Sequence, residues 1–107
     1  MRCRRVAFHP EVTYFKPAGV RMIDLDESVL RVDEFEAIRL KDLLGLDQEE
    51  AAREMGISQP SFHRLVITAR KKIGDALVNG KAIRVEGGNY TIHRNRPGRC
   101  GHGWRGR

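Results

Sequence analysis

The sequence has little cysteine and no long apolar run. Its two cysteines, Cys3 and Cys100, stand near opposite ends of 107 residues, which predicts no disulfide framework and suits a reducing compartment. No apolar stretch is long enough to cross a bilayer, and the opening MRCRRVAFHP lacks the apolar segment of a secretory signal. We therefore expect a cytoplasmic protein with no membrane partner.

Side chains that could form a catalytic centre are also scarce. The 4 histidines are far apart, at positions 9, 63, 93 and 102, and none has neighbours that suggest a nucleophile with its base. The sequence therefore predicts no enzyme and no cofactor. A metal site is an alternative if the two ends of the chain pair, with ligands drawn from Cys3, His9, His93, Cys100 and His102. Because these residues lack the close CxxC spacing of a zinc site, we expect no metal.

Positive charge is what the sequence does have. Twenty Lys and Arg against 14 Asp and Glu give a formal net charge of +6, and the pI is near 9.9. The acidic residues gather between Asp24 and Glu54, whereas both ends of the chain are basic. This distribution favours a polyanionic partner, although charge alone does not choose among DNA, RNA and an anionic membrane. We expect one domain, residues 1–93, followed by a disordered basic tail, residues 94–107.

Two short helices are predicted in the middle of the chain. Asp33 can cap a helix over EFEAIRLKDLLG, in which apolar residues recur at helical spacing and Gly45 supplies the stop. Asp47 can cap a second helix over QEEAAREM, which ends at Gly56.

A third helix and two strands complete the predicted core. Ser58 can cap a helix that runs to about Asn79, so the helical core spans residues 33–80. Residues 1–24 read as extended pieces broken by turns, and residues 25–32 fit a helix or a strand about equally well. Residues 81–93, KAIRV and NYTIH around EGG, predict a β-hairpin.

The second and third helices match the requirements of a helix-turn-helix. Ala52 is the small residue needed where two helices nearly touch, and Gly56 follows in the turn. Apolar residues occupy the inward positions: Ala51, Met55, Ile57, Phe62 and Leu65. The alternative is a helical corner that only packs a core, but a basic third helix and basic chain ends favour the motif.

In such a motif the start of the second helix reaches base edges in the major groove. The exposed side chains there are Ser58, Gln59, Ser61, His63 and Arg64. Gln59 can pair with adenine and Arg64 with guanine, and the alternative for each is a phosphate contact. Further cations are expected to contact phosphates, or to form a solvated face: Arg53, Arg70, Lys71 and Lys72.

Several strings together resemble a known family. They are CRRV, PEVTYFKPAGV, DEFEAIRLKD, QEEAAREMGIS and ARKKIGDALVNGKAIRVEGGNY, which span residues 3–90. The sequence resembles an uncharacterised prokaryotic family of predicted DNA-binding proteins, domain of unknown function 134 or uncharacterised protein family 0251. The resemblance implies a helix-turn-helix like that of region four of bacterial sigma factors, in which the stretch from Ser58 to Ile67 would read the promoter.

We therefore expect a mainly α fold with a small β element made by the N-terminal strand and the C-terminal hairpin. The expected core residues are Phe35, Ile38, Leu40, Met55, Ile57, Phe62, Leu65 and Ile73. The expected function is sequence-specific binding of double-stranded DNA by a transcriptional regulator, as a homodimer. Two alternatives remain: an adaptor that binds RNA polymerase or another regulator through the acidic stretch, and an RNA-binding protein, which the lack of an aromatic platform disfavours.

Overall fold

The computed structural model describes residues 4–7, 10, 13–88 and 90–92, the last three by their backbone alone. The fold is mainly α, as predicted, with short strands in two small sheets. The elements are, in chain order, β1 (Arg4–Val6), β2 (Tyr14–Phe15), β3 (Glu27–Leu30), α1 (Val32–Ile38), a π-helical segment (Arg39–Leu43), α2 (Gln48–Met55), α3 (Gln59–Asn79), β4 (Ala82–Val85) and β5 (Tyr90–Ile92). The predicted basic tail lies outside the described residues, as do the five possible metal ligands at the chain ends.

Helix α1 begins two residues earlier than the sequence predicts. Its N-cap is Arg31, whose backbone N–H donates to Glu34 Oε1 at 2.9 Å. The prediction of Asp33 as the cap is therefore wrong: the cap is Arg31, and the Glu34 carboxylate three residues later accepts from its backbone amide. Asp33 lies buried in the first turn, where its Oδ1 accepts from the Glu34 amide at 2.9 Å. The predicted stop is correct, since Gly45 has a φ of +75° just after the π-helical segment.

Helices α2 and α3 begin and end where the sequence predicts. Asp47 accepts from the Glu50 amide at 2.8 Å, and Ser58 Oγ accepts from the Ser61 amide at 3.2 Å. Gly56 and Gly80 end the two helices in the left-handed region, each with a φ of +68°. That conformation costs glycine little and other residues more, so both stops are encoded locally.

The strands exist where they were predicted, but the hairpin of residues 81–93 is wrong. β4 is the central strand of a three-stranded sheet, antiparallel to β2 and parallel to β3. β5 belongs to a second sheet, in which it pairs in parallel with β1, Arg4 opposite Tyr90 and Val6 opposite Ile92. The ambiguous stretch 25–32 is thus resolved in favour of a strand, β3.

The reason is that the two glycines after β4 serve a close approach and not a chain reversal. The Gly87 carbonyl accepts from the Val32 amide at 3.0 Å, which docks the connection on the start of α1. Gly88 has a φ of +102°, and a Cβ there would lie 2.9 Å from Asp33 Oδ1 and 3.1 Å from Arg31 Cβ. The connection therefore crosses the start of α1 and delivers β5 to β1.

The core consists of two groups of buried side chains. One lies among the three helices and contains Ala37, Leu40, Ala51, Ala52, Met55, Phe62, Leu65 and Val66. The other joins α1 and α3 to the sheets and contains Val6, Leu30, Val32, Ala69 and Val85. Of the predicted core residues, Leu40, Met55, Phe62 and Leu65 are fully buried. The others are half-buried: Phe35, Ile38, Ile57 and Ile73.

None of the helices in the described ranges combines the length and apolar character needed to span a membrane. Within the same ranges, no three His, Cys, Asp or Glu side chains come together in a way that could hold a metal ion.

Candidate nucleic-acid interface

Helix α3 is held against α2 by small and apolar side chains at the turn that joins them. Ala52 is almost completely buried, and the Ile57 amide donates to its carbonyl at 3.0 Å. Met55 and Phe62 have no exposed surface and belong to the same core group. The unit formed by α2, the turn and α3 therefore has a fixed geometry, and only the side chains outside this contact are available to a partner.

A row of polar side chains runs along one side of the start of α3. Ser58 Oγ donates to Ser61 Oγ at 3.0 Å, and Arg64 Nη2 donates to Ser61 Oγ at 3.4 Å. The three residues are spaced by three positions, so they follow one another along the helix surface. Ser58 and Arg64 are exposed, and among the described residues Arg64 has no acidic partner. The Arg64 guanidinium is thus oriented by a serine without being neutralised.

A second group of polar side chains joins the starts of α2 and α3. Gln48 Nε2 lies 3.0 Å from His63 Nδ1, and an imidazole that accepts there while neutral carries its proton on Nε2. Gln59 and Pro60 line the same shallow groove with Gln48 and His63. Gln48 was not among the predicted site residues, although its place directly after the Asp47 cap puts it at the start of α2, where it reaches His63 of α3.

The three consecutive cations of α3 differ in what they contact. Arg70 donates to both carboxylate oxygens of Asp42 in the π-helical segment, with Nε at 3.1 Å, and this hydrogen bonding lowers the pKa of Asp42. Lys72 Nζ lies 2.8 Å from Oε1 of the buried Glu34. Lys71 is exposed and makes no hydrogen bond or ion pair with any described residue.

Helix geometry explains that division. Successive residues of an α-helix are rotated by about 100°, so residues 70, 71 and 72 cannot share one face. Lys71 comes seven residues after Arg64, close to two full turns, and lies on the same side of α3. Of the three α3 cations among the four predicted to contact phosphates, Lys71 alone lies on the side that carries Arg64, while Arg70 and Lys72 attach α3 to the rest of the domain.

Part of the acidic stretch is buried and not exposed to a partner. Asp33, Glu34 and Glu36 at the start of α1 are all at most 1% exposed. Their cationic partners come from four places in the chain: Arg4, Arg31, Arg39 and Lys72. Buried carboxylates require such pairing, so these acids connect β1, α1 and α3.

Helix α2 carries the acids that do face solvent. Glu49, Glu50 and Glu54 are exposed along it, and Arg53 lies 3.4 Å from Glu49 in an exposed ion pair. An exposed pair of this kind is weak, so Arg53 remains able to reach a phosphate. The acids nevertheless make the outer side of α2 less attractive to a polyanion than the start of α3.

Comparison with known proteins identifies the family. The model of a family described as protein of unknown function DUF134 matches residues 1–93. The chain belongs to this family. A UPF0251 protein of Moorella thermoacetica is 60% identical over 104 residues, which are 95% of this chain and 70% of the relative. No solved structure matches the chain.

Other relatives of the DUF134 chain cover it to a similar extent. A UPF0251 protein of Thermoanaerobacter pseudethanolicus is 61% identical over 92 residues, 86% of this chain and 78% of the relative. A UPF0251 protein of Caldanaerobacter subterraneus is 57% identical over 106 residues, 94% of this chain and 90% of the relative. These names state family membership and no activity.

Proposed function

We propose that this protein binds double-stranded DNA in a sequence-specific manner, with α2 and α3 acting as a helix-turn-helix, and that it regulates transcription in the cytoplasm. One observation carries the proposal. Arg64 and Lys71, which have no acidic partner among the described residues, lie on the same side of α3, whereas its other two cations, Arg70 and Lys72, are bound to the carboxylates of Asp42 and Glu34. Unpaired cations that follow one another on an exposed helix face are available to the phosphates of a duplex, which supports DNA binding.

The proposed roles follow from position along α3. Gln59 and Arg64 are near the start of the helix, where side chains reach base edges, and each can make a bidentate contact worth about 1–3 kcal/mol of discrimination. Ser58, Ser61 and His63 donate to phosphates or orient these two residues. Lys71, two turns further on, contacts the backbone. Arg70 and Lys72 contribute indirectly, because they fix α3 on α1 and the π-helical segment.

A single helix-turn-helix covers few base pairs, so we propose that the protein binds as a homodimer on an inverted repeat. Two start regions of α3 would then lie about 34 Å apart, one turn of B-DNA. Sedimentation over a range of concentrations tests the dimer, and a mass that stays monomeric on an inverted-repeat duplex would exclude it.

Selection of bound sequences from random duplex DNA is the direct test of binding. It should be made at two salt concentrations with the wild type, Arg64→Ala and the control Arg21→Ala. Arg21 is an exposed arginine whose ion pair is with Asp24, in the loop after β2. We expect enrichment of one site, steep salt dependence, and loss of one preferred base with Arg64→Ala but not with the control. No enrichment by the wild type would contradict the proposal.

A second candidate is an adaptor that binds RNA polymerase or another regulator. The exposed carboxylates of α2 favour it, because Glu49, Glu50 and Glu54 present an acidic surface to a basic partner. The adaptor predicts no selected DNA site and loss of partner binding when these three glutamates become glutamine. DNA binding predicts a selected site and a higher affinity for duplex DNA in the triple glutamine variant, since removing acids beside α3 strengthens its attraction to phosphate.

A further inference from the structure

Arg5 reaches from β1 to the far end of α2. Its Nη2 donates to the Arg53 carbonyl at 2.6 Å, and its Nε donates to the Glu54 carbonyl at 3.0 Å. Both carbonyls belong to the last turn of α2, where a helix leaves its carbonyls without intrahelical donors and where its dipole favours a cation. Two of the guanidinium's donor nitrogens are therefore engaged inside the protein.

The same guanidinium packs on the turn between α2 and α3. A Cβ built on Gly56 would lie 3.3 Å from Arg5 Cζ and 3.4 Å from its Nε, closer than side chains ordinarily pack. Gly56 also has a φ of +68°. This glycine thus serves two purposes, since it adopts the left-handed conformation that ends α2 and leaves room for Arg5.

The strand that carries Arg5 is itself anchored elsewhere in the domain. Val6 is fully buried, and the Ala7 amide donates to Glu36 Oε2 of α1 at 3.1 Å. Arg4 Nη1 lies 3.3 Å from Asp33 Oδ2, also on α1. The residues on either side of Arg5 are therefore fixed to α1, and Arg5 alone of these four extends to α2.

We propose that Arg5 is a positioning residue that ties the end of α2 and its turn to β1 and α1, and thereby fixes where the helix-turn-helix and its base-reading side chains sit on the domain. The inference rests on the proposed DNA binding and deepens it. Arg5 belongs to the basic start of the chain, but it acts on the binding unit through two carbonyls and not through a phosphate.

Two variants separate positioning from charge. Arg5→Lys keeps the charge but loses the planar fork that spans two carbonyls, and Arg5→Gln removes the charge as well. Arg21→Lys is the matched control, an exposed arginine paired with Asp24. Binding to the selected duplex and to a random-sequence duplex is measured across salt concentrations, at a temperature where every variant is fully folded by circular dichroism.

We expect Arg5→Lys to weaken binding to the selected duplex roughly tenfold, within the range that one base contact contributes. Binding to the random duplex and the slope of log affinity against log salt should match the wild type, because no phosphate contact is lost. A merely stabilising role would leave the affinity of the folded variant unchanged and overturn the proposal. Wild-type affinity for Arg5→Lys, with Arg5→Gln lowering the salt slope by about 0.9, would instead make Arg5 a phosphate contact.

Amide hydrogen exchange tests the same inference without DNA. The amides of Gly56 and Ile57 donate to carbonyls in the last turn of α2, so losing the Arg5 contact should speed their exchange. The amides at the start of α2 serve as internal reference. Unchanged exchange at the turn in Arg5→Lys would refute the positioning role, whereas failure of the wild type to bind any duplex would refute only the proposed function.

Discussion

Replacing Gly88 by alanine tests the unexpected path of the chain between β4 and β5. A residue other than glycine at a φ of +102° costs about 1–3 kcal/mol in backbone strain. The new Cβ would also lie 2.9 Å from Asp33 Oδ1, an oxygen that is buried and accepts from Arg31 Nε and the Glu34 amide. Displacing that carboxylate weakens hydrogen bonds to charged groups, worth about 1.5–3 kcal/mol. We expect Gly88→Ala to lower the free energy of unfolding by about 3–5 kcal/mol.

Gly45→Ala is the matched control for this experiment. Gly45 has a φ of +75°, and a Cβ there meets no atom within 4 Å, so the variant incurs only the conformational cost of about 1–2 kcal/mol. The difference between the two variants isolates the contact with Asp33. Thermal unfolding followed by circular dichroism should show Gly88→Ala melting roughly 10–20 °C below Gly45→Ala.

Equal melting temperatures for the two variants would refute the reasoning. They would mean that residue 88 is not pressed against the start of α1, and the predicted hairpin of residues 81–93 would again be the better description of this segment.

Three further predictions follow from the contacts of the helices. Phe62→Ala should lower the free energy of unfolding by about 3–5 kcal/mol, measured by urea denaturation, because the ring is fully buried. A variant as stable as the wild type would mean that Phe62 does not pack inside the helix-turn-helix. Hydrogen bonds from Arg70 lower the pKa of Asp42, so this carboxylate stabilises the fold above its unfolded pKa of about 3.9 and ceases to do so as the pH falls through its lower folded pKa. Asp42→Asn should therefore be less stable than the wild type at pH 7 and equal to it in strong acid, and a pH-independent difference would contradict this assignment. Lys71→Ala should reduce the salt slope of DNA binding by about 0.9 without changing the melting temperature, whereas Lys72→Ala should lower the melting temperature and leave the slope unchanged.

The sequence predicts best those features that are decided within a few residues. Asp47 and Ser58 each satisfy an amide three residues later, and Gly56 adopts a conformation that its own backbone allows. Such signals do not depend on the rest of the fold, so the bounds of α2 and α3 could be predicted from them. The cap of α1 was missed because Glu34, a residue inside the helix, supplies the hydrogen bond.

Strand partners depend on contacts between distant residues, which local patterns do not contain. The alternation in KAIRV and NYTIH identified two strands correctly. Gly87 and Gly88 led to the prediction of a turn. In the structure, the positive φ and missing side chain of Gly88 instead allow its backbone to lie close to Asp33. Only the buried surface on α1 decides between these outcomes, and it cannot be read from the segment itself.

The candidate site could be predicted in part for the same reason. Ser58, Gln59 and Arg64 follow from the position of the turn alone. Arg70 and Lys72 were grouped with Lys71 because their partners, Asp42 and Glu34, are 28 and 38 residues away in sequence. Applying the rotation of 100° per residue to the run of three cations would have separated Lys71 from its neighbours.

The pairing of β1 with β5 has a consequence for how the chain folds as it leaves the ribosome. α2 and α3 are neighbours in sequence and can associate early, but β1 must wait for β5, almost at the other end of the described chain. At ordinary rates of translation that delay is on the order of 10 s. During this delay β1, which carries Arg5, has no partner strand. The nascent α2 and α3 would therefore be complete before Arg5 is held in place to bond the carbonyls at the end of α2.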